Sequence, residues 1–137
     1  MTFFVACIDL NSGKLTFANA GHNFPLLLRE GQFQRLPNTN PRLGNQLTTQ
    51  FKENTLPLNE GDLLFFYTDG VTENETPEGV QWGESRLKRY LKQNAGLSAN
   101  QMVNHLVEEL YAFYQNELIA DDITIVACKV TQPFHTQ

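Results

Sequence analysis

Along most of the chain, apolar residues come in short runs separated by polar breaks that contain glycine. Phe3 to Leu10 and Leu15 to Ala20 flank Asn11-Ser12-Gly13-Lys14, the pattern of a hairpin. Phe24 to Arg29 and Gln32 to Leu36 flank Glu30-Gly31 in the same way. Pro37 to Gln46, rich in Pro, Asn and Gly, reads as a loop, and Thr48 to Leu56 alternates as a half-exposed strand should. Leu58 to Asp62 is a turn that launches Leu63 to Tyr67, an unbroken apolar and aromatic run that predicts a buried strand. It ends in Thr68-Asp69-Gly70.

Beyond Asp69 the pattern changes. Glu73 to Gly83 is polar with turn chemistry and reads as a loop. Leu87, Tyr90 and Leu91 sit at helical spacing in a short helix that should stop near Gly96. Ser98, with Gln101 three residues on, forms a capping-box signature for a helix running toward Leu118. Its apolar stripe is Met102, Val103, Leu106, Val107, Leu110, Phe113 and Tyr114. Ile123 to Val130 reads as a last strand and Thr131 to Gln137 as a frayed tail. Antiparallel strands, then two helices, then one strand predict an α+β domain with helices packed on one face of a mostly antiparallel sheet.

Composition narrows this picture modestly. With 137 residues, 41% of them hydrophobic, the chain has enough apolar surface for one core, and no internal domain boundary is visible. A net charge of −5 argues against nucleic acid as a partner. No apolar run approaches the roughly 18 residues of a membrane span, and Met1 to Leu10 lacks the basic start of a signal peptide. Cys7 and Cys128 each lie in an apolar run and read as reduced, buried core thiols of a cytoplasmic protein.

The candidate chemistry lies in two acidic positions. Asp69 ends one predicted strand, and Asp121-Asp122 precede another. If those strands are antiparallel neighbours, about 5 Å apart, the carboxylates meet at one rim. Carboxylates at one rim repel unless a cation sits between them, and oxygen-only ligation suits Mg²⁺ or Mn²⁺. Gly70 would let the backbone approach the ion. The plain alternative has the greater weight at this point: Asp-Gly is a common turn pair, and Asp122 suits a turn or cap.

Five segments go further: "LTFANAGHNFPLLL", "RLGN", "GDLLFFYTDGVTE", "WGESRL" and "ADDITIVACKV". In this order and spacing they resemble the SpoIIE/RsbU-like branch of the metal-dependent (PPM, type 2C-like) serine/threonine protein phosphatases, over roughly Phe3 to Val130. The resemblance implies a β-sandwich flanked by helices, with a two-metal Mn²⁺ or Mg²⁺ site at one end of the sheets. It implies hydrolysis of phosphoserine or phosphothreonine on a regulatory protein, such as an anti-sigma factor antagonist, in a bacterial signalling system with an upstream sensor domain. By position, Asp69 matches the metal-binding aspartate of the "TDG" motif and Asp121 the one that opens the last strand. Asp122 stands where type 2C relatives often carry Asn.

The family's first metal motif, an aspartate in an Asp-x-Ser-Gly-His-Gly-like turn, has no counterpart in this sequence. Asp9 reads as a turn residue and "NAGHN" matches a different family segment. Residues 1–131 are therefore expected to be the C-terminal portion of the domain, residues 132–137 a tail, and the chain inactive alone. Missing strands would leave edges that pair with another chain, so a homo-oligomer is expected. The competing function is a non-catalytic phosphoprotein-binding or regulatory module of the same fold. Among the histidines, His22 is expected to orient its loop, His105 to be solvated and His135 to lie idle in the tail. Trp82 is expected to anchor the short helix, while Glu73 to Gln81 suits either a substrate-facing or a plain acidic surface loop.

Overall fold

The computed structural model describes residues 1–37, 40–45, 50–114 and 121–134. Seven strands and three helices follow one another as β1 (Phe3–Asp9), β2 (Lys14–Ala20), β3 (Leu26–Arg29), β4 (Gln32–Arg35), β5 (Asn54–Pro57), β6 (Leu63–Tyr67), α1 (Gly70–Glu73), α2 (Glu84–Gln93), α3 (Ala99–Phe113) and β7 (Ile125–Lys129). The strands form two sheets, ordered β1-β2-β5 and β4-β3-β6-β7, and every strand pair is antiparallel.

Strand alternation builds three layers. Leu15 and Phe17 of the first sheet meet Leu27 and Leu64 of the second in one apolar core, with Leu36, Leu58 and Val130. The opposite face of the second sheet sends Leu26, Leu28, Leu63, Phe65 and Tyr67 into another core, closed by Trp82, Leu87, Tyr90 and Leu91 and by Met102, Leu106 and Leu110 of α3. The unbroken apolar run of β6 follows directly: both its faces are covered, so neither needs polar residues. The predicted α+β sandwich with helices on one side is what forms.

Local chemistry fixes the ends. The Ser98 side chain accepts the Gln101 N–H while Gln101 returns a bond to the Ser98 N–H, completing the capping box. Trp82 is buried beside Tyr90, with ring centroids 6.5 Å apart, and anchors α2 as expected. Arg35 of β4 and Lys88 both bond Glu84, at 2.7 and 2.6 Å. Partial burial pushes the Glu84 carboxyl up, but bonds from Lys88 and Arg35 outweigh it and hold the carboxyl below its ordinary value. This triad therefore supports the fold above the ordinary carboxylate range and fades as pH falls through the lowered pKa. Asp9 is the expected turn residue, accepting from Ser12 Oγ at 2.7 Å and from the Asn11 N–H at 2.9 Å, bonds that lower its pKa.

Four expectations need correction. Cys7 is exposed and Cys128 only half-buried, because Cys7 lies on the outer face of β1, where the apolar pattern implied cover. The strand expected from Thr48 forms over Asn54–Pro57, while positions 46–49 lie outside the described residues. Glu73, the first residue of the predicted polar loop, is instead the last residue of α1, a short helix over Gly70–Glu73. In the supposedly frayed tail, Phe134 packs on the core between the sheets, beside Gly13. The predicted extension of α3 toward Leu118, and His135, fall outside the described residues. No helix among the described residues is long and apolar enough to cross a membrane.

Neighbouring positions on α3 give a direct test of the layering. Leu106 is fully buried and His105 exposed. Leu106→Ala should cost about 2–5 kcal/mol in urea unfolding, whereas His105→Ala should change stability by no more than about 0.5 kcal/mol.

Candidate metal centre

β6 and β7 are adjacent and antiparallel, with Tyr67 opposite Ile125. The end of one and the approach to the other therefore share a rim. Past Tyr67, the Thr68 N–H still donates to Thr124 O at 3.1 Å, and then the chain leaves β6 to form α1. Side chains take over the pairing from there. Thr68 Oγ1 accepts the Thr124 N–H at 2.9 Å and donates to Asp122 O at 2.8 Å. The Asn74 amide, buried at 4% exposure, accepts the Asp121 N–H at 3.0 Å and donates to Asp121 O at 3.0 Å and Gly70 O at 2.7 Å.

The predicted site residues are thus brought together. Asp69 and Asp121-Asp122 are exposed at this rim, and Gly70 lies buried between them. A Cβ on Gly70 would stand 2.4 Å from Asp122 O and 3.0 Å from Asp121 O. The close approach that requires glycine is therefore made by the backbone of the facing segment.

A turn or cap role for Asp69 finds no support in its side chain. Its carbonyl accepts the N–H groups of Thr72 and Glu73 at 2.8 and 2.7 Å, starting α1, but its carboxylate makes no capping bond. Asp121 Oδ1 accepts the Asp122 N–H at 2.8 Å. Among the described residues, no basic side chain forms an ion pair with any of the three aspartates. Exposed carboxylates without cationic partners are a hard-oxygen donor set, which fits Mg²⁺ or Mn²⁺. The set is small: the described residues hold no group of three or more His, Cys, Asp or Glu arranged to hold an ion.

His22 lies near this rim, half-buried, lining cavities of about 410 and 300 Å³ that also share Tyr67. Its loop is held through backbone: the His22 N–H donates to Asn19 Oδ1 at 2.9 Å and Asn19 Nδ2 donates to His22 O at 3.1 Å. Asn19, fully buried, is the residue that orients the loop. The Tyr67 phenol is pushed up to about 12 by burial, with a further contribution from the Glu84 charge, so it stays protonated at neutral pH. Sequence reasoning missed Asn74 and Thr68, whose roles arise only when β7 arrives beside β6.

Residues 1–131 match the family described as Stage II sporulation protein E (SpoIIE). The chain belongs to the SpoIIE family. It is 32% identical over 127 residues to Protein IcfG of Synechocystis sp., covering 92% of this chain and 20% of IcfG. It is 26% identical over 131 residues to Phosphoserine phosphatase RsbU of Bacillus subtilis, covering 94% of this chain and 38% of RsbU. In three dimensions it resembles the phosphatase domain of SpoIIE from Bacillus subtilis, from a manganese-presoaked crystal. There the TM-score is 0.71 and the identity 22%, over 99% of this chain and 59% of that domain. The chain thus spans well under half the length of both curated relatives. SpoIIE-family membership accounts for the sandwich, for the helical layer and for the five motifs read from sequence.

The contact at Gly70 can be tested against a neutral glycine. Gly70→Ala should destabilise the chain by about 1–3 kcal/mol, because the opposing atoms are backbone and cannot rotate away. Gly96, with nothing near its Cβ position, should accept alanine with no loss in the same urea titration.

Proposed function

We propose that this chain supplies one side of the metal centre of a phosphoserine/phosphothreonine protein phosphatase. Asp69, Asp121 and Asp122 are the ligands, and Gly70 lets their two segments close on each other. The observation that carries this reading is the shared rim, where carboxylates unspent on capping or ion pairs converge from two paired strands. Bound Mn²⁺ or Mg²⁺ would supply a water of lowered pKa and stabilise charge on a phosphoryl group. The chain's own part is to present hard oxygen donors at a fixed spacing. The substrate we infer is a phosphorylated bacterial regulatory protein of the anti-sigma factor antagonist class. The SpoIIE-family match and the name of the relative RsbU support that class. A cytoplasmic, reducing setting suits two cysteines that form no disulfide.

A second reading, a binding or regulatory module without hydrolysis, draws on the absence of a three-residue ligand cluster among the described residues. Calorimetry separates a residual site from none: the chain should bind Mn²⁺ weakly, and Asp69→Asn should abolish that heat. A parent without measurable binding would count against the metal reading. Phosphate release from a phosphoprotein by the 137-residue chain alone should be near background.

The partner surface we propose is the free edge of the strands. β1 and β7 each end a sheet, and Phe3, Val5 and Val126 on them are exposed at 48%, 48% and 53%. Unpaired edges with apolar faces favour strand addition from another chain. Light scattering coupled to size exclusion should therefore return a dimer or larger species, and Val5→Lys should shift it toward monomer.

A further inference from the structure

We propose that Asn74 is a positioning residue for the candidate metal centre. Its side-chain amide replaces the backbone that β6 no longer supplies and fixes Asp121 against the Asp69-Gly70 turn. The inference rests on the metal reading above, but its geometry is independent of it. In an antiparallel ladder a hydrogen-bonded residue exchanges both its N–H and its C=O with the residue opposite. Asp121 exchanges both with one side chain, since Asn74 Oδ1 takes its N–H and Nδ2 gives to its C=O.

The second Nδ2 proton goes to Gly70 O at 2.7 Å, so a single amide ties the first residue of α1 to the segment that carries two of the acids. The group is satisfied on every side: both donors and the acceptor are used, and no buried side-chain polar atom among the described residues lacks a partner. Only an amide of this length fits. Aspartate would set a carboxylate against two carbonyl oxygens, and alanine would leave the Gly70 and Asp121 groups without their partner.

A lost amide does not move the carboxylates out of the structure; it widens the range of positions Asp121 samples. Residues that hold metal ligands in place are commonly worth about 10–100-fold in metal affinity. The protein's stability and its ligand geometry are therefore separable here. A core truncation such as Leu106→Ala weakens the fold without removing a hydrogen bond to the acidic segment, whereas Asn74→Ala removes those bonds directly.

The test is a titration of the ¹⁵N-labelled chain with MnCl₂ alone, following paramagnetic broadening of the Gly70, Asp121 and Asp122 amides. Hydrogen exchange of the Asp121 amide is measured in parallel. In the parent these amides should broaden first. Asn74→Ala should raise the Mn²⁺ concentration for half-broadening about tenfold and remove protection of the Asp121 N–H, while Leu106→Ala should leave the midpoint unchanged. Parent-like broadening in Asn74→Ala overturns the positioning role and leaves the metal reading standing. A parent whose three amides stay sharp overturns the metal reading and this inference with it. An equal midpoint shift in Leu106→Ala would mean that loss of stability alone explains the effect, and would also overturn the proposal.

Discussion

The register of β6 is the constraint on which the rest of the molecule depends. This strand lies between β3 and β7, with Leu63, Phe65 and Tyr67 turned to the helical core and Leu64 and Phe66 to the other sheet. A slip of one residue would exchange these faces, sending the helix-side residues into the gap between the sheets. Neither core can absorb that, because both are closed by partners of fixed shape. The position of Asp69 is thereby set two residues beyond the last locked side chain. Hydrophobic burial, not electrostatics, decides where the carboxylate lands.

Where β6 ends, a different problem begins. The backbone turns into α1, so the segment before β7 loses its strand neighbour just where it carries Asp121 and Asp122. Buried or partly buried backbone groups left unpaired are costly, and Thr68 and Asn74 meet that need with side chains. The solution has an electrostatic consequence. The acidic segment is held by neutral donors and acceptors, so its carboxylates remain uncompensated at an exposed rim. Mutual repulsion there is moderated by solvent and salt.

Much of this was legible in the sequence, for physical reasons that differ by element. The hairpins at the start carry turn residues between short apolar runs, and α3 announces itself by a capping box followed by a regular stripe. β6 was legible as buried because nothing polar interrupts it. Its double burial also explains why periodicity could not assign its faces. α1 was not legible: four residues are too few for a helical period to show. Asn74 was hidden for a related reason, since an asparagine in a polar loop looks solvated until its distant partner is placed beside it. Gly70 was singled out for backbone approach to an ion; the close approach the structure shows there is to the backbone carbonyls of Asp121 and Asp122. Cys7 misled because an apolar run predicts a strand without saying which of its faces will be covered.

The two sheets are unequal, and that inequality links the fold to the site. The second sheet is covered on both faces along β3 and β6 and supplies the strands that lead to all three aspartates. In the first, β1 places Phe4 and Ile8 inward but Phe3, Val5 and Cys7 outward, the two-sided apolar pattern of a strand with neighbours on both faces. The groove between β1 and the end of β6 is lined by Phe3, Phe66 and Val126 and reaches Thr68 and Thr124, beside the acids. The uncovered apolar surface and the small donor set therefore adjoin. Polypeptide that covered β1 and filled this groove would arrive at the same rim, so on the proposed metal reading burial of the first sheet and completion of the ligand set would be coupled by geometry. On this view the binding of a partner chain and the binding of metal should reinforce each other, each restricting the same segments at the ends of β6 and β7.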